Sequence, residues 1–127
     1  MNIQDKEIEP NGMDFHAPGA KGDQGKIMAG LLADFSLALE EIAKVSTYGA
    51  KKYSPGGWQA VPDGIQRYTH AAWRHLLRMQ REEIDPESGL RHEAQVVWNF
   101  LARLELKLRM EPQRLGLAPG LIEKETK

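Results

Sequence analysis

A chain of 127 residues is the usual size of one domain, and 41% hydrophobic with 28% charged residues is enough apolar content for a core and too much for a disordered chain. With 17 basic against 18 acidic side chains the formal charge is −1, so no general positive field draws the chain to nucleic acid or anionic lipid. The absence of cysteine excludes disulfides, thiolate zinc sites and a cysteine nucleophile.

Met1 to Asn11 lacks the apolar run of a signal peptide, and no stretch approaches the ~20 apolar residues of a membrane span. A cytoplasmic protein that binds neither membrane nor nucleic acid is expected. Residues 1–26 carry Pro10, Gly12, Pro18, Gly19, Gly22 and Gly25 among charges, which predicts an extended arm. From Leu31, the positions Leu32, Phe35, Leu39, Ile42 and Val45 recur at three or four residues and predict a first helix ending near Gly49.

Tyr53-Ser54-Pro55-Gly56-Gly57-Trp58 breaks that helix, and Asp63 is placed to cap the next. Ile65, Tyr68, Ala72, Leu76 and Met79 keep the helical period, and the run is expected to stop at Asp85-Pro86, because a residue before proline is pushed out of the α region. Leu90, Ala94, Val97, Leu101, Leu104 and Leu108 predict a third helix ending before Pro112, with residues 113–127 a tail. No alternating β pattern occurs, so the fold class is all-α, with residues 27–112 as the helical domain. Three amphipathic stripes are most simply completed by a partner chain, which predicts a homo-oligomeric bundle, a dimer or tetramer.

Several polar residues stand where chemistry could use them. Glu40 and Glu41 are separated by about 100° around the first helix; Glu40 can pair with Lys44 at i,i+4, whereas Glu41 borders the core stripe and is the better inward carboxylate. A carboxylate in that position is costly without a cation, unless both glutamates are simply a solvated flank. Glu82-Glu83-Ile84-Asp85 places Glu82 and Asp85 one helical turn apart, a pair of hard oxygen donors suited to Mg²⁺, although Asp85 before Pro86 also reads as a helix N-cap. His75 lies upstream of these acids on the same helix.

His92, Gln95 and Asn99 form a polar seam beside the third helix's apolar stripe, able to fix a base edge or a metal-bound water, or only to satisfy one another. Lys51, Lys52 and Tyr53, followed by Trp58, join cations to aromatic faces, which suggests phosphate and base contacts, and Arg67 is a further phosphate partner. Alternatively the lysines serve the helix dipole and Trp58 serves the core.

The segments Lys21–Lys26, Gly49–Tyr53, Arg67-Tyr68, Arg74-His75-Leu76 and Glu82–Leu90, then His92 and Asn99, resemble in order the phage dATP/dGTP diphosphohydrolases, the MazZ branch of the MazG-like all-α nucleotide pyrophosphohydrolases. The resemblance covers residues 20 to 108. It implies an oligomeric enzyme, dependent on Mg²⁺ or Mn²⁺, that releases pyrophosphate from a purine deoxynucleoside triphosphate and in some phages supplies dGMP for a 2-aminoadenine nucleotide. In a phage-encoded protein the place of action is the host cytoplasm. Two departures stand out: Lys44 occupies the place where wider MazG proteins carry the second glutamate of an E-x-x-E, and Gln95 stands where the family pattern has a second histidine.

The expected mechanism has Glu41, Glu82 and Asp85 hold the metal ion, with Glu83 a candidate general base. Lys51, Lys52 or Arg67 meets the phosphates, while Tyr53, Trp58, His75, His92, Gln95 and Asn99 meet the nucleoside, with dGTP favoured and dATP second. The competing readings are a housecleaning pyrophosphatase for pyrimidine or damaged nucleotides, and a non-catalytic helical interaction module.

Overall fold

The computed structural model describes residues 14–111, so the expectations for residues 1–13 and 112–127 lie outside the described residues. Residues 14–31 form one unit and the chain from Leu32 onward another. The first is a series of turns held by local hydrogen bonds such as Ala20 N–H to Ala17 O at 3.1 Å.

The second unit contains three α-helices: α1 (Ser36–Lys52), α2 (Gly64–Arg78) and α3 (His92–Arg109). The all-α class expected from periodicity is the one observed. A 3-10 segment, Ala29–Phe35, precedes α1, so the apolar run from Leu31 enters the α-helix later than its spacing suggests. At the other end α1 runs past Gly49 to Lys52, where Lys51 and Lys52 sit favourably against the negative end of the helix dipole. Pro55 and Gly56 then turn the chain, with Gly56 at a φ of 72°, into a short 3-10 segment, Gly57–Ala60.

Asp63 does not cap α2 through its side chain; it adopts a left-handed backbone with φ 54° instead. The larger correction concerns the end of α2, which stops at Arg78 and not at Asp85. After it the backbone folds back: Ile84 pairs with Arg91 in an isolated antiparallel bridge, Asp85 N–H donates to Leu90 O at 2.8 Å, and His92 N–H donates to Glu83 O at 3.0 Å. Pro86 cannot donate to a helix ladder, and Gly89, at φ 75°, supplies the left-handed residue that closes the loop. Glu82 and Asp85 are therefore not one turn apart on a helix, and Asp85 does not cap α3, which begins at His92.

α2 and α3 run antiparallel. His75 near the end of α2 meets His92 at the start of α3, while Gly64 at the start of α2 lies against Leu106 near the end of α3. α1 joins α3 through a Trp98 Nε1–H bond to Ser46 Oγ at 2.8 Å. Between the helices Val45, Ala72, Ala94, Val96 and Ala102 are buried, a core of small side chains that lets the helices approach closely. Trp58, Tyr68 and Trp98 pack edge to face with centroids 5.7 to 6.3 Å apart, and Tyr68 Oη–H donates to Trp58 O at 2.6 Å. Large apolar side chains remain exposed on α1 (Leu37, Leu39), α2 (Trp73, Leu77) and α3 (Val97, Phe100, Leu101, Leu104).

Candidate metal and nucleotide site

The last turn of α2, the first residue of α3 and the loop between them bring three titratable side chains together. His75 Nδ1 lies 2.9 Å from His92 Nδ1. With Asp85 the two imidazoles form a cluster whose ligand atoms all lie within 4.8 Å of one another. His92 is buried, and His75 and Asp85 are half-buried. At that separation one Nδ1 must carry the proton that the other accepts, so a cation held by both nitrogens would replace a proton.

Burial alone would raise the Asp85 carboxyl, but the Glu87 N–H, the Gln95 amide and the two imidazoles together hold it below the usual carboxylate range. Burial, reinforced by the neighbouring His92, lowers His75 and favours its neutral, ligating form. His92 Nε2 is buried without a hydrogen-bond partner, with Glu82 Oε2 3.5 Å away. Metal-ligating histidines commonly donate their second nitrogen to a carboxylate, a bond that a small shift of Glu82 would complete.

These residues fit a divalent cation. Two nitrogens and one carboxylate suit a first-row divalent ion better than Mg²⁺, which prefers an all-oxygen octahedron; among such ions Mn²⁺ also tolerates hard oxygen donors.

The other expected site residues are distributed as follows. Glu41 and Glu82 stand outside the cluster. Glu41 pairs with Lys44 at 2.6 Å and reaches Arg91 at 3.7 Å, and Lys44 thus hydrogen-bonds Glu41 and not Glu40. The Lys44 ammonium, more than the Arg91 charge, holds the Glu41 carboxyl below its ordinary value. Glu83 shares Arg91 with Glu41, and Glu82 pairs with Arg78 at 3.1 Å.

Lys52 bridges to Glu87 at 2.8 Å, which raises its pKa, and its ammonium lies 5.3 Å from the Tyr53 ring centroid. Lys51 lines an open groove of about 470 Å³ whose walls are α1, through Lys44, Thr47 and Tyr48, and the loop residues Ser88 and Leu90. Gln95 and Asn99 are buried on α3, the Gln95 amide facing Asp85 and Ser88 and the Asn99 amide donating to Gln95 O at 2.8 Å. Arg67 and Trp58 are not gathered here. Arg67 Nη1 donates to Pro62 O at 3.3 Å near the start of α2, and Trp58 belongs to the aromatic trio. A larger open cavity of about 740 Å³ between the start of α2 and the end of α3 takes in none of His75, Asp85 and His92.

His75 and His92 stand out in the sequence but their spacing does not bring them together, nor does it set Glu87 and Ser88 beside Asp85 and Gln95 or Tyr48 in the groove with Lys51. The available signal was the placement of the two histidines on either side of the acidic segment 82–85.

Fold and cluster together define a class: an all-α protein with a two-histidine, one-carboxylate centre able to hold a divalent cation. The family model for the dATP/dGTP diphosphohydrolase N-terminal region matches residues 16–114, and the chain belongs to that family. It is 36% identical over 77 residues to a protein of Salmonella phage PMBT28 named dATP/dGTP diphosphohydrolase, a match covering 60% of this chain and 25% of that protein. The chain thus spans about a quarter of the length of the curated relative it matches. No solved structure matches the chain.

Proposed function

We propose that the chain is the catalytic part of a metal-dependent nucleoside triphosphate pyrophosphohydrolase that converts a purine deoxynucleoside triphosphate to the monophosphate and pyrophosphate. The observation that carries the reading is the convergence of His75, Asp85 and His92 beside a groove edged by lysines. Family membership and the name of the phage relative support the reaction class and the purine substrates. In this reading dGTP is the favoured substrate, dATP the second, and the dGMP formed serves synthesis of a 2-aminoadenine nucleotide. The working form is a homo-oligomer.

His75, Asp85 and His92 hold the ion, Mn²⁺ in preference to Mg²⁺. When bound, the ion supplies Lewis acidity toward the phosphates and offsets the charge of the leaving pyrophosphate. Lys51, on the α1 wall of the groove, meets phosphate oxygens, and Lys44 and Lys52 join it by exchanging Glu41 and Glu87 for the substrate. Glu82 orients His92 through Nε2, and Glu41 and Glu83, fastened to Arg91, are the carboxylates from which a general base is drawn. Tyr48 and Tyr53 at the end of α1 offer faces for the base.

The test is turnover of the four dNTPs by chelator-treated protein before and after addition of Mn²⁺, alongside Asp85→Asn and Lys51→Ala. The expected result is metal-dependent turnover favouring dGTP, a loss of at least about 100-fold in Asp85→Asn, and a raised KM in Lys51→Ala. Full activity without metal, or near-normal activity of Asp85→Asn, would overturn the site. If neither Mn²⁺ nor a non-hydrolysable dGTP analogue raised the Tm, the non-catalytic module would be the better reading, because a ligand specific to the folded state must stabilise it.

A further inference from the structure

Gln95 sits three residues after His92 on α3, so both side chains leave the same face of the helix. It is 8% exposed. Its amide nitrogen donates to Asp85 Oδ2 at 3.1 Å and to Ser88 Oγ at 3.3 Å, which uses both hydrogens a primary amide has. The amide has one sensible orientation, since the inverted one would set a carbonyl oxygen against an ionised carboxylate that can only accept. The other Asp85 oxygen, Oδ1, takes the backbone N–H of Glu87 at 3.0 Å. Each carboxylate oxygen therefore keeps a lone pair while its direction is held from two sides. Asp85 rides on a loop, whereas His75 and His92 ride on helices, so the carboxylate is the donor whose place needs a tie to the helical frame.

We propose that Gln95 is a positioning residue for the cation centre, locking Asp85 and the loop tip at Ser88 to α3 in register with His92, and that it does not read the base. With both N–H groups engaged it offers a base edge only an acceptor, not the paired donor and acceptor by which an amide discriminates bases. The inference rests on the proposed metal centre.

Gln95→Leu removes both donors at similar size, and Gln95→Met removes them while keeping the length of the side chain. Titration of the metal-free protein with Mn²⁺ by calorimetry, without nucleotide, is the primary readout. Binding 10- to 100-fold weaker than wild type is expected in both variants, on the order seen when partners of metal ligands are removed. The ratio of kcat/KM for dGTP over dCTP should stay within about twofold of wild type, since a base reader stripped of its donors would lose it by orders of magnitude. If Gln95→Leu does not fold, Gln95→Met carries the test.

Wild-type Mn²⁺ affinity in the folded variants would overturn the positioning role, as would a collapsed dGTP preference with Mn²⁺ binding intact. Failure of the wild-type protein to bind Mn²⁺ at all would overturn the metal centre and this inference together, an outcome distinct from the other two.

Discussion

Asp85 and His75 carry the pH behaviour of the metal-free site. The Asp85 carboxyl lies below its ordinary value because the Glu87 N–H, the Gln95 amide and the imidazoles outweigh burial. Its contribution to stability is therefore present above the unfolded carboxylate range and is lost as pH falls through the folded value. His75 is lowered from 6.5, first by burial and then by His92, so the unfolded chain takes up a proton there before the folded one does. Both groups act in the same direction: Tm should decline on acidification, starting as pH drops through about 6.5 at His75 and continuing into the carboxylate range. Thermal melts of metal-free protein would show this, with Asp85→Asn flattening the acidic limb; a Tm constant from neutral pH to about 4 would contradict it. Asp85 could be singled out because its acidic run ends on a proline, but the partnership of His75 with His92 spans a loop whose path no spacing rule supplies. Spacing leaves Glu41 either inward or on a solvated flank, and it is half-buried, engaged by Lys44 at 2.6 Å and Arg91 at 3.7 Å.

The loop from Glu82 to Arg91 is the element on which the site depends. Its tight return is closed by Gly89 N–H donating to Asp85 O at 2.7 Å, with Gly89 in the left-handed region at φ 75°. No atom crowds a Cβ there, so Gly89→Ala should act through backbone strain alone and cost about 1 kcal/mol, while also weakening Mn²⁺ binding. Urea denaturation and calorimetry check the two effects, and unchanged stability would remove Gly89 from the account. At the other end of α2, Tyr68→Phe deletes the hydrogen bond to Trp58 O but keeps the ring in the aromatic trio, so a loss of about 1 kcal/mol is expected, with Mn²⁺ affinity unaffected. The three helices were legible because their apolar residues repeat at helical spacing over many turns. The end of α2 was not: after Arg78 the apolar positions Met79 and Ile84 still fit a helix, whereas the chain there turns back so that Ile84 pairs with Arg91 across the loop, a path that helical periodicity does not describe.

The helical unit from Leu32 onward buries mainly small side chains and leaves Leu37, Phe100, Leu101 and Leu104 exposed on α1 and α3. Apolar area of that kind on adjacent helices is what a second copy of the chain would cover. Sedimentation should accordingly find a dimer or tetramer that Leu101→Glu with Leu104→Glu shifts toward the single chain, and a wild-type protein sedimenting as one chain would contradict the oligomer. The all-α class was readable from periodicity and the absence of alternation, and the order of short motifs pointed to the family. The place where those motifs meet was not readable, because it is made by the antiparallel return of α3 along α2. The proposed reaction is hydrolysis between the α- and β-phosphates of a purine dNTP at the His75, Asp85 and His92 centre. It is tested most directly by incubating the protein with dGTP and Mn²⁺ and resolving the products by ion-exchange chromatography: dGMP and pyrophosphate in equal amounts are predicted, and dGDP with orthophosphate, or deoxyguanosine with triphosphate, would contradict it.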